Sequence, residues 1–249
     1  MVAETYDARS AADIATALGV AHVELYAEVN STMDVAHRAA EAQAVAGTVL
    51  LADRQSAGRG RGGKTWVSES GRGLWFTLLE RPSSPSGLDV LALRLGLAAA
   101  PVLEAFADAP VRLKWPNDLY VGDRKLAGIL VETRWREARV EWVAIGMGVN
   151  VSTPPEVATA AGLRPNTDRV DVLAELVPAL RRAAAERGPL SAIELASFAA
   201  RDYAAGRPCT APAVGVVRGV TDDGSLAIVT DSGEQFFRAG SLVLAGDTP

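Results

Sequence analysis

VRLKWPNDLYVGDRKLAGILVETRWREARVEWVAIGMGVNV, residues 111–151, reads as four strands and three turns. The runs VRLKW, LYV, KLAGILVETRW and VEWVAIGMGVNV are rich in branched and aromatic side chains. The breaks between them, PND, GDR and REA, are short enough for hairpins, so the stretch predicts an antiparallel meander. Going outward toward the N-terminus, residues 88–106 form a strongly apolar helix for one sheet face, which Pro101 is expected to kink or split. Residues 74–79 and 49–52 read as buried strands, and 22–29 alternates like a strand. A helix over 10–20 starts at Ser10, with Asp13 three residues on, and stops at Gly19. A second, capped by Asn30 or Ser31, runs to about 46 and ends at Gly47. Going outward toward the C-terminus, a Pro/Ala-rich loop (152–164) precedes helices over 170–187 and 191–203. Ser191 and Glu194 have capping-box spacing. Beyond Gly206, short alternating strands joined by Gly turns indicate a small β-barrel or β-sandwich. The fold class is α+β: a mostly antiparallel central sheet flanked by helices, then a small β unit beginning near Ala204.

Composition narrows the function. Apolar residues make up 49% of 249 and charged residues 22%, as in a well-buried globular protein. A net charge of −5 argues against a broad phosphate-tracking surface, so no nucleic-acid partner is expected. AADIATALGV could open a helix-turn-helix, but the strand pattern after it leaves no recognition helix. The single Cys209 excludes a disulfide framework and fits a reducing compartment. The first residues lack a basic, then apolar, leader. The longest apolar run, near 91–100, is interrupted by Arg94 and is too short for a bilayer. A cytoplasmic protein without a membrane partner is expected.

Against that acidic background stands GRGRGGKTW, residues 58–66, where four glycines alternate with three cations before an indole. Glycine lets backbone N–H groups turn inward and approach a ligand, and Arg59, Arg61 and Lys64 add charged donors. The stretch is either a mobile loop that wraps a small anion or a solvated linker. Further along, Lys125 begins a strand and Gly128 interrupts it. A strand glycine with a nearby lysine suggests a ligand lying on the sheet, although Lys125 alone could be an exposed edge residue. Asn117 and Asp118 follow Pro116 and could be turn residues, could order a metal or phosphate, or could accept a proton from an amine. Ser31 and Thr32 could cap a helix or present its start to a polar ligand. GMGVNV is not followed by a dinucleotide-binding helix, and Asn150 could fix a ribose or phosphate, or cap the loop.

Taken together, NSTMD, QSAGRGRGGKTW, KWPNDLYVGDRKLAGILVE and GMGVNV resemble the biotin–protein ligases, over about residues 25–244. The chain is similar to the monofunctional type without an N-terminal DNA-binding domain. The resemblance implies a class II synthetase-like catalytic domain (1–203, with a short N-terminal helix in 1–22) and an SH3-like β-barrel (204–249). It implies an ATP-dependent ligase: biotin and ATP give biotinoyl-5'-adenylate, and the biotinoyl group passes to a lysine of a biotin carboxyl carrier domain. Arg59, Arg61 and Lys125 would hold the carboxylate and α-phosphate. Ser31, Thr32, Gln55 and Gly128 would bond biotin, and Trp66 would stack on adenine. Asn117 and Asp118 would lie near Mg2+ and the phosphates, with Asp118 taking the proton of the incoming amine. Asn150 would lie on the nucleotide side. Gly58, Gly60 and Lys64 belong to the lid over biotin, and 152–163 to a second lid. Lys64 stands where Arg is common, which removes a bidentate contact. No protein-only metal site is expected.

Two rivals remain open at this point. A lipoate or octanoate transferase of the same superfamily would want a cysteine near the acyl site, and Cys209 is far from it in sequence. A non-catalytic biotin-binding protein would need neither Lys125 nor the cationic loop. An edge strand of the large sheet could pair two copies into a homodimer.

Overall fold

Side-chain alternation decides which face of each strand meets which helix. In the computed structural model, which describes residues 2–246, Val49 and Leu51 face one way and Leu50 the other. The first hairpin is β1 (Thr5–Tyr6) and β2 (Arg9–Ser10), followed by α1 (Ala11–Leu18). Ser10 and Asp13 form the expected capping box, and Gly19 adopts the left-handed conformation that ends α1. Next come β3 (His22–Val29), α2 (Thr32–Glu41), β4 (Thr48–Gln55) and β5 (Gly73–Glu80). Then follow α3 (Leu91–Glu104), β6 (Val111–Lys114), β7 (Asp118–Val121), β8 (Arg124–Arg136) and β9 (Arg139–Asn150). The four strands of residues 111–151 are therefore where the alternation put them.

The large sheet has seven strands in the order β3-β4-β5-β9-β8-β7-β6. Every neighbouring pair is antiparallel except β3 and β4. Parallel neighbours need a crossover, and α2 supplies it. Helix α1, together with α3 and α4 (Arg169–Ala185), packs on the face that carries Val49, Leu51, Phe76 and Leu78. On the other face α2 sets Met33 and Ala36 against Leu50 and Ala144. Helix α2 covers only part of that face.

Helix α5 (Ala192–Arg201) leads to a second sheet: β10 (Pro208–Ala211), β11 (Gly215–Val220), β12 (Leu226–Thr230), β13 (Gly233–Phe237) and β14 (Val243–Leu244). Its order is β13-β12-β11-β10-β14, all antiparallel. It does not stand apart from the large sheet. Tyr203 N donates to Leu113 O on β6 at 2.8 Å, and Trp115 Nε1 to Gly224 O at 3.0 Å.

Three expectations change. Helix α2 ends at Glu41, not near 46, because Gln43 takes a left-handed φ of 66°. Helix α3 begins at Leu91 and runs through Pro101 to Glu104 without splitting: Pro101 forgoes one N–H bond to the preceding turn, and the apolar face of the helix stays packed in the core. Strand β4 is longer than 49–52 and carries Gln55 as its last residue. The sheet edges are also less open than a bare strand would be: Ala3 N donates to Leu25 O on β3 at 2.8 Å, and Leu113 on β6 bridges Asp202.

Candidate active site

The half-covered face of the large sheet holds a cavity of about 430 Å³. Its floor is made by strands that carry almost no side chain there: Gly128 on β8, and Gly146 and Gly148 on β9. Trp66 lies over Gly128 and Gly148, while Gly146 faces Met33. A Cβ at Gly148 would sit 2.5 Å from the Trp66 ring, and one at Gly128 would sit 3.0 Å from it. Within the chain, the Trp66 indole and the Lys125 side chain are the groups nearest the space a Gly128 Cβ would fill. Trp75 meets Trp66 edge-on at 6.3 Å between centroids. The buried Trp66 Nε1 has no protein partner.

Residues 58–66 form no open linker. Trp66 N donates to Gly58 O at 2.8 Å and Gly60 N to Lys64 O at 2.7 Å, so the two arms pair. Gly62 and Gly63 turn the tip with φ of 66° and 77°, values that favour glycine. Arg59 also bridges Thr65, so the stretch is an ordered lobe, not a solvated linker. Arg59, Gly60, Arg61 and Lys64 line the cavity, and Gly58 does not. A Cβ at Gly58 would meet the Trp66 carbonyl at 2.3 Å, so this glycine closes the base of the lobe. Arg61 Nη1 donates to Gly240 O of the small sheet's last connection at 2.5 Å.

Lys125 also lines the cavity. Its ammonium is 2.7 Å from Asp118 Oδ1 and 5.1 Å from the centre of the Trp66 ring. The side chain passes over Gly128, whose missing Cβ would lie 3.4 Å from Nζ. The Lys125 backbone is gripped from both sides: its N–H donates to Thr159 O, and its C=O accepts from Ala161 N, both at 2.8 Å. Residues 152–164 therefore hold the strand end that bears Lys125. Asn150 does not line the cavity. It is buried and donates to Lys125 O at 3.2 Å, so it supports the lysine from below.

The start of α2 supplies the polar end. Ser31 Oγ accepts from Met33 N at 3.3 Å as the helix cap. Thr32 N donates to Gln55 Oε1 at 2.9 Å, Gln55 Nε2 donates to Ser68 Oγ at 2.9 Å, and Thr77 Oγ1 donates to Thr32 Oγ1 at 2.9 Å. Asn117 Nδ2 donates to Ile129 O at 2.6 Å, leaving its amide oxygen for another partner. Below this end, Arg169 Nη1 reaches Asp53 Oδ1 at 2.7 Å and Asp7 pairs with the same guanidinium. Burial works against the Asp53 charge, but bonds from Ser70, Arg169 and Gly71 N outweigh it and hold Asp53 below the usual carboxylate range.

Several lining residues carried no signal. Lys114, 8% exposed, reads as an ordinary strand residue before Pro116. Tyr203, Ser241 and Leu242 close the cavity from the far end of the chain, a nearness that sequence spacing cannot reveal. Cys209 is buried in β10, away from the cavity, with Sγ 3.3 Å from Ala213 O, and burial raises its thiol. Among the described residues no three His, Cys, Asp or Glu side chains stand together as a metal site.

Residues 25–150 match the model of the biotin/lipoate A/B protein ligase family. The biotin–[acetyl-CoA-carboxylase] ligase of Paracoccus denitrificans is 31% identical over 223 residues, covering 79% of this chain and 90% of that protein. The bifunctional ligase/repressor of Bacillus subtilis is 35% identical over 167 residues, covering 67% of this chain but only 48% of that one. The solved biotin protein ligase of Aquifex aeolicus, in complex with biotin and ATP, superposes with a TM-score of 0.74 at 28% identity. It covers 89% of this chain and 97% of that structure. The glycine floor, the paired cationic lobe and Lys125 thus stand in a chain that belongs to the biotin/lipoate A/B protein ligase family.

Proposed function

We propose that this chain is an ATP-dependent biotin–protein ligase. The observation that carries the reading is that Lys125 and the lobe cations Arg59, Arg61 and Lys64 line one cavity together with Trp66. Two anions, a carboxylate and a triphosphate, must meet for adenylation, and cations placed beforehand lower that barrier. A biotin carboxylate oxygen would attack the α-phosphorus, forming biotinoyl-5'-adenylate and releasing pyrophosphate. Lys125, Arg59 and Arg61 would hold the reacting oxygens, Trp66 would pack against the base, and Lys64 would reach the nucleotide. Ser31, Thr32, Gln55, Gly60 and Gly128 would border the biotin ring and tail. Gly58 would act by letting the lobe close, and Asn150 by fixing Lys125. The mixed anhydride hydrolyses readily, so the lobe would exclude water. In the second step a carrier lysine amine would attack the acyl carbon, AMP would leave, and Asp118 would accept the amine proton.

Asn117 and Asp118 offer the oxygen donors that suit Mg2+, and the ion would neutralise phosphate charge when bound with the nucleotide. The partner would be a biotin carboxyl carrier domain, in the cytoplasm. Among the described residues no helix is long and apolar enough to cross a membrane. We assign residues 1–203 to catalysis and 204–249 to a supporting β unit. A homodimer through the large sheet would pair an edge, β3 or β6, beside the segments already bonded there.

ATP–pyrophosphate exchange tests the reading, with biotin, lipoate or octanoate supplied separately. Exchange is expected with biotin alone, and Lys125→Ala is expected to abolish it without lowering the melting temperature by more than a few degrees. Exchange that follows lipoate instead would overturn the substrate assignment. The position of Cys209, outside the cavity, favours biotin over thioester-based octanoyl transfer.

A further inference from the structure

Arg59 lines the cavity, but two carboxylates meet it from behind. Its Nη2 lies 2.9 Å from Asp34 Oδ1 on α2 and 3.4 Å from Glu132 Oε2 on β8. Neither acid lines the cavity. Glu132 Oε2 is also 2.7 Å from His37 Nε2, one turn along α2 from Asp34. Trp142 Nε1 donates to the other imidazole nitrogen, His37 Nδ1, at 3.0 Å. An indole N–H can only donate, so Nδ1 must present its lone pair. The proton of the neutral ring then sits on Nε2, aimed at Glu132.

Trp142 is itself fixed. It is 5% exposed, and the guanidinium groups of Arg81 and Arg134 stand 5.8 and 6.0 Å from its ring. Arg81 is tied to the carbonyls of Ala40, Ala44 and Glu141. A run of polar contacts thus leads from a buried indole to an arginine at the cavity wall.

A free arginine has many rotamers, and ordering it costs entropy. Holding Arg59 beforehand removes part of that cost from substrate binding. Both acids take the same nitrogen, and among the described residues Arg59 Nε and Nη1 donate to no protein acceptor. The acids are a third or more exposed, so their repulsion of an anion beyond Arg59 is screened.

We propose that Asp34, Glu132 and His37 are positioning residues that hold Arg59 by Nη2 and present its remaining donors to the substrate anion. Trp142 locks His37 as the Nε2–H tautomer, and His37 aims the Glu132 carboxylate. This rests on the assignment of Arg59 to the anionic substrates above.

The test is biotin-dependent ATP–pyrophosphate exchange with the full chain, in single and double variants. Glu132→Gln and His37→Phe are each expected to lower kcat/KM for biotin about tenfold. His37→Gln, which keeps an N–H toward Glu132, is expected to recover to within about threefold. In an Arg59→Ala background neither substitution should lower the rate further, because residues acting through one group are non-additive. Additive losses, no rescue by Gln, or a lower KM for biotin in Glu132→Gln would each overturn the proposal. If Arg59→Ala is impaired while Glu132→Gln and His37→Phe are normal, this inference fails alone and the ligase reading stands. A fully active Arg59→Ala overturns the role of Arg59 itself, and with it this proposal.

Discussion

Gly148 illustrates how much a single missing atom can matter. Nothing in GMGVNV distinguishes it from a turn glycine, yet in the folded chain the Trp66 ring lies where its Cβ would be. Gly148→Ala must push the indole off the floor or bend β9, and overpacking of this kind costs roughly 1–3 kcal/mol. Biotin-dependent exchange is expected to fall at least tenfold, with a changed near-UV circular dichroism from the Trp66–Trp75 pair. Gly128→Ala, whose Cβ would lie 3.0 Å from the ring, should behave similarly but more mildly. An unchanged spectrum and rate in Gly148→Ala would mean that the indole does not rest there. At the same scale Lys125 was legible as a functional candidate from its neighbours, whereas the support that Asn150 gives it was not. That support depends on a backbone carbonyl two strands' length away along the chain.

Among the elements, α5 has a distinctive tie to α3. Glu194 closes the capping box with Ser191 and also receives Arg94, a nearly buried arginine of α3, with Nε 2.5 Å from Oε1. The Arg94 guanidinium and then the Ser191 bonds pull the Glu194 carboxyl down to about 2 from an ordinary 4.5. A depressed folded-state pKa stabilises above the unfolded value and is lost as pH falls through the folded one. The contribution is therefore full at neutral pH and fades between about 4.5 and about 2. Glu194→Gln is expected to cost about 3 kcal/mol at pH 7, and the gap from the parent should shrink as pH drops below 4.5. Urea denaturation at pH 7 and at stepped acid pH measures it, and a gap that stays constant would refute the assignment. The capping box itself was readable from Ser191 and Glu194. Arg94 was visible only as a break in an apolar run, since its partner lies 100 residues away.

Across the whole molecule, the two sheets share one core. Cys209, Val217, Ile228 and Leu244 of the small sheet join the same buried cluster as Leu113, Trp115 and Phe198. With Trp115 bonded to Gly224 and Arg61 to Gly240, the small sheet braces both the meander and the cationic lobe. The chain is expected to unfold in one cooperative transition. Ile228→Ala, at a fully buried position, should lower stability by about 3 kcal/mol. Its transition should move together whether read from secondary structure or from Trp66 and Trp75. Two separated transitions would mean that the units fold independently.

Hydrophobic period, hairpin breaks and caps are local, so the sequence by itself determined the meander, most helices and the α+β class. The motifs were likewise enough to single out residues 58–66 and Lys125 as candidates, because clustered cations in an acidic chain and a lysine beside a strand glycine need a reason. Where α2 stops was misread, because Gln43 in a left-handed turn leaves no compositional mark. Only the tertiary structure decided that Trp66 lies on Gly128 and Gly148, that Asn150 and residues 159–161 hold Lys125, and that Asp34, Glu132 and His37 stand behind Arg59. Those relations join segments from opposite ends of the chain, and proximity across a sheet is set by register and packing, not by spacing along the sequence.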